Sequence, residues 1–190
     1  MKVVLIGNIN VGKSSFFVRF KEDKFVEKLN STIGLDQYTK SITLSDGRTV
    51  KISLWDTAGL EVAGYMTSSY YRLSNGVVLM YDVKERETFN SLNLWIEDSK
   101  NYILENTPYF LLGNKIDGVD TEVNKVDAVN FAKSHNIPEE HVFEISVKTN
   151  KGIKKFIDSM ATLLSCVENP VQLDTNKINL GQDKSKSGCC

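Results

Sequence analysis

The chain has 190 residues and a formal net charge of -1, with 41% hydrophobic and 25% charged residues, which is the make-up of one globular domain with a sizeable core. The near-neutral balance argues against nucleic acid as a partner, and no apolar run approaches the roughly 18 residues of a membrane span. Three cysteines, Cys166 and the adjacent Cys189 and Cys190, do not make a disulfide framework and fit a reducing compartment.

In chain order, "KVVLI" (2–6) has the short, continuously apolar character of a strand buried on both faces. A helix is predicted from Lys13 to about Lys21. Val50, Ile52 and Leu54 alternate with Lys51 and Ser53, and "SDGR" (45–48) supplies an Asp-Gly turn, so a hairpin adds one antiparallel edge strand. "GVVLMYD" (76–82), "YFLLG" (109–113) and "HVFEI" (141–145) read as further buried strands. Phe89, Leu92 and Ile96 share one helix face. Ile153, Phe156, Ile157, Met160, Leu163 and Leu164 follow helical spacing more clearly still. Strand–helix alternation of this kind predicts an α/β fold with a mostly parallel sheet of six strands and helices on both faces. Periodicity stops near Cys166. The division is therefore a domain over 1–166 and a polar, flexible tail over 167–190.

"GNINVGKS" (7–14) has the G-x-x-x-x-G-K-[ST] spacing, between a predicted strand and a predicted helix. That context suits phosphate. Gly7 and Gly12 let backbone approach the anion, and the exposed amides of Asn10, Val11 and Ser15 with the helix start attract it. Lys13 can reach β- and γ-phosphates, and the Ser14 hydroxyl can ligate Mg²⁺. Asp56, after the strand 50–55, sits where a second carboxylate holds that ion, and Gly59 leaves an amide for the γ-phosphate. "GNKID" (113–117) and "EISVK" (144–148) each follow a strand, so their loops converge at the carboxyl ends of the sheet. Asp117 suits both donors of a guanine edge and would be unpaired against adenine. Asn114 can donate to N7 and the Val147 amide to O6. The stems of Lys115 and Lys148 can lie on the ring faces, with Ser146 stiffening the loop.

These residues resemble a Ras-superfamily small GTPase, most closely its Rab branch. The resemblance rests on "GNINVGKS", "STIG", "DTAG", "NKID" and "SVK", with "KISLWDTAG", "SSYYR" and the terminal "CC" as the Rab-like marks. It implies a P-loop NTPase fold, GTP/GDP and Mg²⁺ as ligands, and a monomeric switch in vesicle-mediated protein transport. It implies Thr32 as the second hydroxyl on Mg²⁺ and Phe25 as the aromatic against guanine. Effector, exchange and escort proteins would read the switch segments. Geranylgeranyl chains on Cys189 and Cys190 would anchor the protein to the cytoplasmic face of intracellular membranes, cycling with the cytosol, and two chains hold stably where one is marginal.

The chain departs from the family at catalytic positions. Leu60 stands where the family carries the glutamine that orients the attacking water, and leucine has no donor or acceptor. Ile9 replaces a small residue, where it should crowd a partner's arginine finger. Gln37 replaces an aromatic of an effector patch with Trp55 and Tyr70. "EVAGYM" (61–66) lacks the Arg and Phe of the second switch. The reading is a slow GTP hydrolase. The alternative is a GTP-bound interaction protein with negligible catalysis, controlled by exchange or supply. An ATP-using phosphotransferase is disfavoured by Asp117. Cys166 is expected to be a half-buried structural thiol, His135 and His141 structural, and Phe16, Phe17, Phe89 and Trp95 core.

Overall fold

A computed structural model describes residues 1–27, 35–57 and 70–166. The sheet has six strands: β1 (Lys2–Ile6), β2 (Asp36–Thr43), β3 (Thr49–Asp56), β4 (Gly76–Asp82), β5 (Tyr109–Asn114) and β6 (Val142–Glu144). Their spatial order is β2-β3-β1-β4-β5-β6. Every pairing is parallel except β2 with β3, the antiparallel edge expected from the alternating pattern. The turn between them is built as its sequence requires: Gly47 takes φ 84°, and Asp46 Oδ1 accepts from the Arg48 amide at 2.9 Å.

Five helices cover the sheet among the described residues: α1 (Lys13–Glu22), α2 (Arg86–Asn90), α3 (Leu92–Lys100), α4 (Lys125–Ser134) and α5 (Ile153–Cys166). Successive strand residues face opposite sides. Val3 and Leu5 of β1 pack with Phe16 and Phe20 of α1 and with Phe156, Met160 and Leu164 of α5. Val4 and Ile6 pack with Phe89, Leu92 and Ile96 on the other face, where Ala128 and Ala132 of α4 also lie. All seven residues of β4 are buried, which is why that segment is continuously apolar rather than alternating.

Three boundaries depart from the sequence reading. His141 belongs to a 3-10 turn over Glu139–His141, not to β6, because Pro138 enters the segment with its own fixed φ. The single helix face of Phe89, Leu92 and Ile96 is shared by two helices, α2 and α3, which meet at Ser91. Cys166, expected to be half-buried, is exposed at the end of α5: the buried stripe of that helix ends at Leu164. His141 is structural as expected, with Nδ1 3.0 Å from the Tyr109 carbonyl. No described helix is long and apolar enough to cross a membrane.

Candidate nucleotide site

The loop between β1 and α1 turns at Gly7, whose φ of 142° is open to glycine; a Cβ there would lie 2.1 Å from the Met80 carbonyl oxygen. The loop therefore lies directly on β4. Gly12, at φ 101°, is the N-cap of α1, and a Cβ on it would meet Asn114 Nδ2 at 2.4 Å. Both glycines are required by close approach. Lys13 is buried, and its ammonium donates to the carbonyls of Gly7 and Asn8 at 2.7 Å each. Ser14 and Ser15 follow in the first turn of α1.

Asp56 ends β3 beside this loop, paired in register with Leu5, and is 1% exposed. The next residue, Thr57, locks the strand end by donating from Oγ1 to the Leu5 carbonyl at 2.7 Å. A hydroxyl at Ser14 and a buried carboxylate at Asp56 are hard oxygen donors, the set that Mg²⁺ takes. A buried carboxylate beside the Ser14 hydroxyl is a position that could hold such a cation.

The second and third loops meet the first through one side chain. Asn114 ends β5 and is 3% exposed. Its Nδ2 donates to the Val11 carbonyl at 2.9 Å, and its Oδ1 accepts from the Val147 amide at 3.1 Å. The amide of Val147, read from sequence as a donor to guanine O6, thus has an intramolecular acceptor here, and Asn114 ties all three loops. Ser146 donates from Oγ to Asp117 Oδ1 at 2.6 Å and accepts the Thr149 amide at 3.0 Å, the stiffening expected of it. That hydrogen bond is the main cause holding the Asp117 carboxyl below its ordinary pKa, so it is an anion ready to accept donors. Lys115 adopts φ 71° and pairs with Asp82 Oδ2 at 2.5 Å. Lys148 is exposed, and Phe25 is partly buried against the α1 side of the core.

Of the residues expected at the phosphates, the metal and the base, those of 7–15, Asp56, Asn114, Lys115, Asp117 and Ser146 to Lys148 lie at or just beyond the carboxyl ends of β1, β3, β5 and β6. Thr32, Gly59, Leu60, Cys189 and Cys190 lie outside the described residues. Arg19 was missed. Its guanidinium is buried and donates to the Val147 carbonyl at 3.2 and 2.9 Å, bracing the third loop from α1. The signal was available: a charged residue flanked by Phe16, Phe17 and Phe20 on an apolar helix face. Asn8 and Asp82 were missed too, and nothing in their spacing pointed to them. Among the described residues no group of three His, Cys, Asp or Glu side chains could hold a metal. A cavity of about 680 Å³ lies at the opposite end of β5, beside Tyr109, His135 and His141, and shares no residue with the loops.

A sequence profile of the Ras family matches residues 2–165. The chain belongs to that family. Similar proteins place it in the Rab branch. The Ras-related protein Rab-18 of Lymnaea stagnalis is 35% identical over 181 residues, covering 95% of this chain and 87% of that protein. The Ras-related protein Rab-1A of Dictyostelium discoideum is 36% identical over 197 aligned positions, covering 100% and 96%. The Ras-related protein Rab-18-B of Danio rerio is 40% identical over 155 residues, covering 81% and 74%. The chain is a Rab-type small GTPase, a GTP-binding switch of vesicle transport.

Proposed function

We propose that this Rab-type GTPase binds GTP normally, turns it over slowly, and rests mainly in its GTP-loaded state. The observation that carries this reading is an asymmetry in the chain. The phosphate and base loops keep their chemistry, from Lys13 and Ser14 to Asn114, Asp117 and Ser146, while Leu60 replaces the side chain that would orient water. Ile9, 53% exposed on the phosphate loop, adds bulk where an activating protein would insert an arginine. Such a finger is worth about 10³–10⁵ in rate, so obstructing it matters more than any local change in stability.

In the reaction, two of the three Lys13 donors stay on the carbonyls of Gly7 and Asn8 while the third serves the phosphates, and the loop amides hold the β-phosphate. Ser14, Thr32 and Asp56 would hold Mg²⁺, which when bound neutralises charge on the β- and γ-phosphates. Thr32 and Gly59 respond to the γ-phosphate, and its loss releases the switch segments that effector, exchange and escort proteins read. Phe25, Lys115 and Lys148 flank the guanine, and Asp117 selects it. The domain ends near Cys166. Residues 167–190 serve as a tether carrying geranylgeranyl groups on Cys189 and Cys190, which places the switch on the cytoplasmic face of intracellular membranes.

The experiment is to purify the protein, denature it and chromatograph the nucleotide it carried from the cell. Mostly GTP supports the reading; mostly GDP sinks it. Leu60→Gln with Ile9→Gly is expected to raise single-turnover hydrolysis by about tenfold or more, the scale of one well-placed hydrogen-bonding group in a transition state.

A further inference from the structure

Asn8 is the second residue of the phosphate loop, and its side chain reaches away from the loop to the second layer of helices. Its Nδ2 donates to Ser91 Oγ at 3.1 Å, and its Oδ1 accepts from Trp95 Nε1 at 2.8 Å. Those partners lie 83 and 87 residues further along the chain. Ser91 caps α3 and Trp95 sits one turn on, so both face the same way.

The chemistry of the two partners fixes the residue type. An indole N–H only donates. The Ser91 hydroxyl proton is committed to the Glu87 carbonyl at 2.8 Å, so Ser91 offers Asn8 a lone pair. One acceptor and one donor side by side are what a primary amide presents. A carboxylate would put an acceptor against the Ser91 lone pair, and an apolar side chain would leave both partners unsatisfied. The same residue's own carbonyl accepts from Lys13 Nζ at 2.7 Å. The group that holds the phosphate-binding lysine is therefore pinned to α3, on the far side of the loop from α1.

We infer that Asn8 is a positioning residue for phosphate binding: its amide clamps the loop to α3 through Ser91 and Trp95, and so fixes where Lys13 and the loop amides wait for the nucleotide. This rests on the assignment of residues 7–15 as the phosphate loop.

The test is release of a fluorescent GDP analogue from the full chain. Asn8→Ala and Trp95→Phe are each expected to speed release about five- to tenfold, the effect of losing one or two half-buried hydrogen bonds. The double variant is expected to release no faster than Asn8→Ala alone, because both substitutions remove one clamp. A general loss of stability would not give that pattern. A second readout separates positioning from packing: the indole N–H resonance of Trp95, assigned by its loss in Trp95→Phe, should move when nucleotide is stripped, and stop responding in Asn8→Ala. Release within twofold of the parent in both single variants, or rates that multiply in the double, would overturn the inference. If Asn8→Ala does not fold, Trp95→Phe decides on rate alone. A parent chain that binds no GDP analogue would instead overturn the phosphate-loop assignment, which is a different result.

Discussion

Two glycines of the phosphate loop are fixed by what lies beside them, and they differ in kind. Gly7 faces a backbone oxygen of β4, which cannot move without breaking the sheet. Gly7→Ala is therefore expected to cost about 3 kcal/mol or more of unfolding free energy, read from urea denaturation. Gly12 faces the side-chain amide of Asn114. Gly12→Ala should displace that amide from Val11, and the measurable loss should be in nucleotide affinity more than in the urea midpoint. Asp117 gives a prediction in pH. Its folded pKa is depressed, so its contribution is present above the ordinary carboxylate pKa of about 4 and is lost only as pH falls through the lower folded value. GDP affinity should be flat from pH 7 to about 5, and Ser146→Ala should move the acid limb upward, since the Ser146 hydroxyl is the main cause of the shift. A titration of affinity showing the limb unmoved would remove Ser146 from that role. At this scale the sequence revealed residues whose chemistry is local. Asp117 and Lys13 stand in motifs with fixed spacing. Asn8 was hidden because its meaning depends on Ser91 and Trp95, which only the fold brings to it.

Among the elements, strong periodicity predicted well and weak periodicity did not. The apolar stripe of α5 carries Phe156, Met160 and Leu164 into the core, and the alternation in β3 sets its one buried face. Helix α4 leaves little apolar pattern in the sequence, for a physical reason: its buried residues are Ala128 and Ala132, too small to stand out as an apolar stripe. The better signal was at its start. Asn124 accepts the Asp127 amide at 3.0 Å, and Asp127 Oδ2 accepts the Asn124 amide at 3.2 Å, a reciprocal cap. Arg86 of α2 also donates to Asp127 at 2.9 Å, so the cap joins two helices. Asn124→Ala should lower stability by about 1 kcal/mol in urea unfolding. The 3-10 turn before β6 was likewise illegible: the apolar pair Val142 and Phe143 reads the same whichever residue starts the strand.

At the scale of the whole molecule, the sheet order places β1 at the centre, between β3 and β4. The two faces of this strand belong to two separate clusters, and one of them is completed only by α5. The loop over 7–14, Asp56 and the loops that begin at Asn114 and follow β6 all leave the same end of this sheet, so one set of strands positions the described part of the candidate site. That arrangement was legible, because alternating strands and helices allow few topologies.

The position of α5 also bears on how the protein is made. Phe156, Met160 and Leu164 close over Val3 and Leu5, the earliest core residues to be synthesised. At about 5–20 residues per second, β1 and α1 wait many seconds on the ribosome with this apolar face uncovered. The nascent chain is thus expected to expose that face to holding chaperones until the last helix emerges. A chain stalled at residue 150 should be cut rapidly by protease where the released protein resists, and equal resistance would show that the core closes without its final helix.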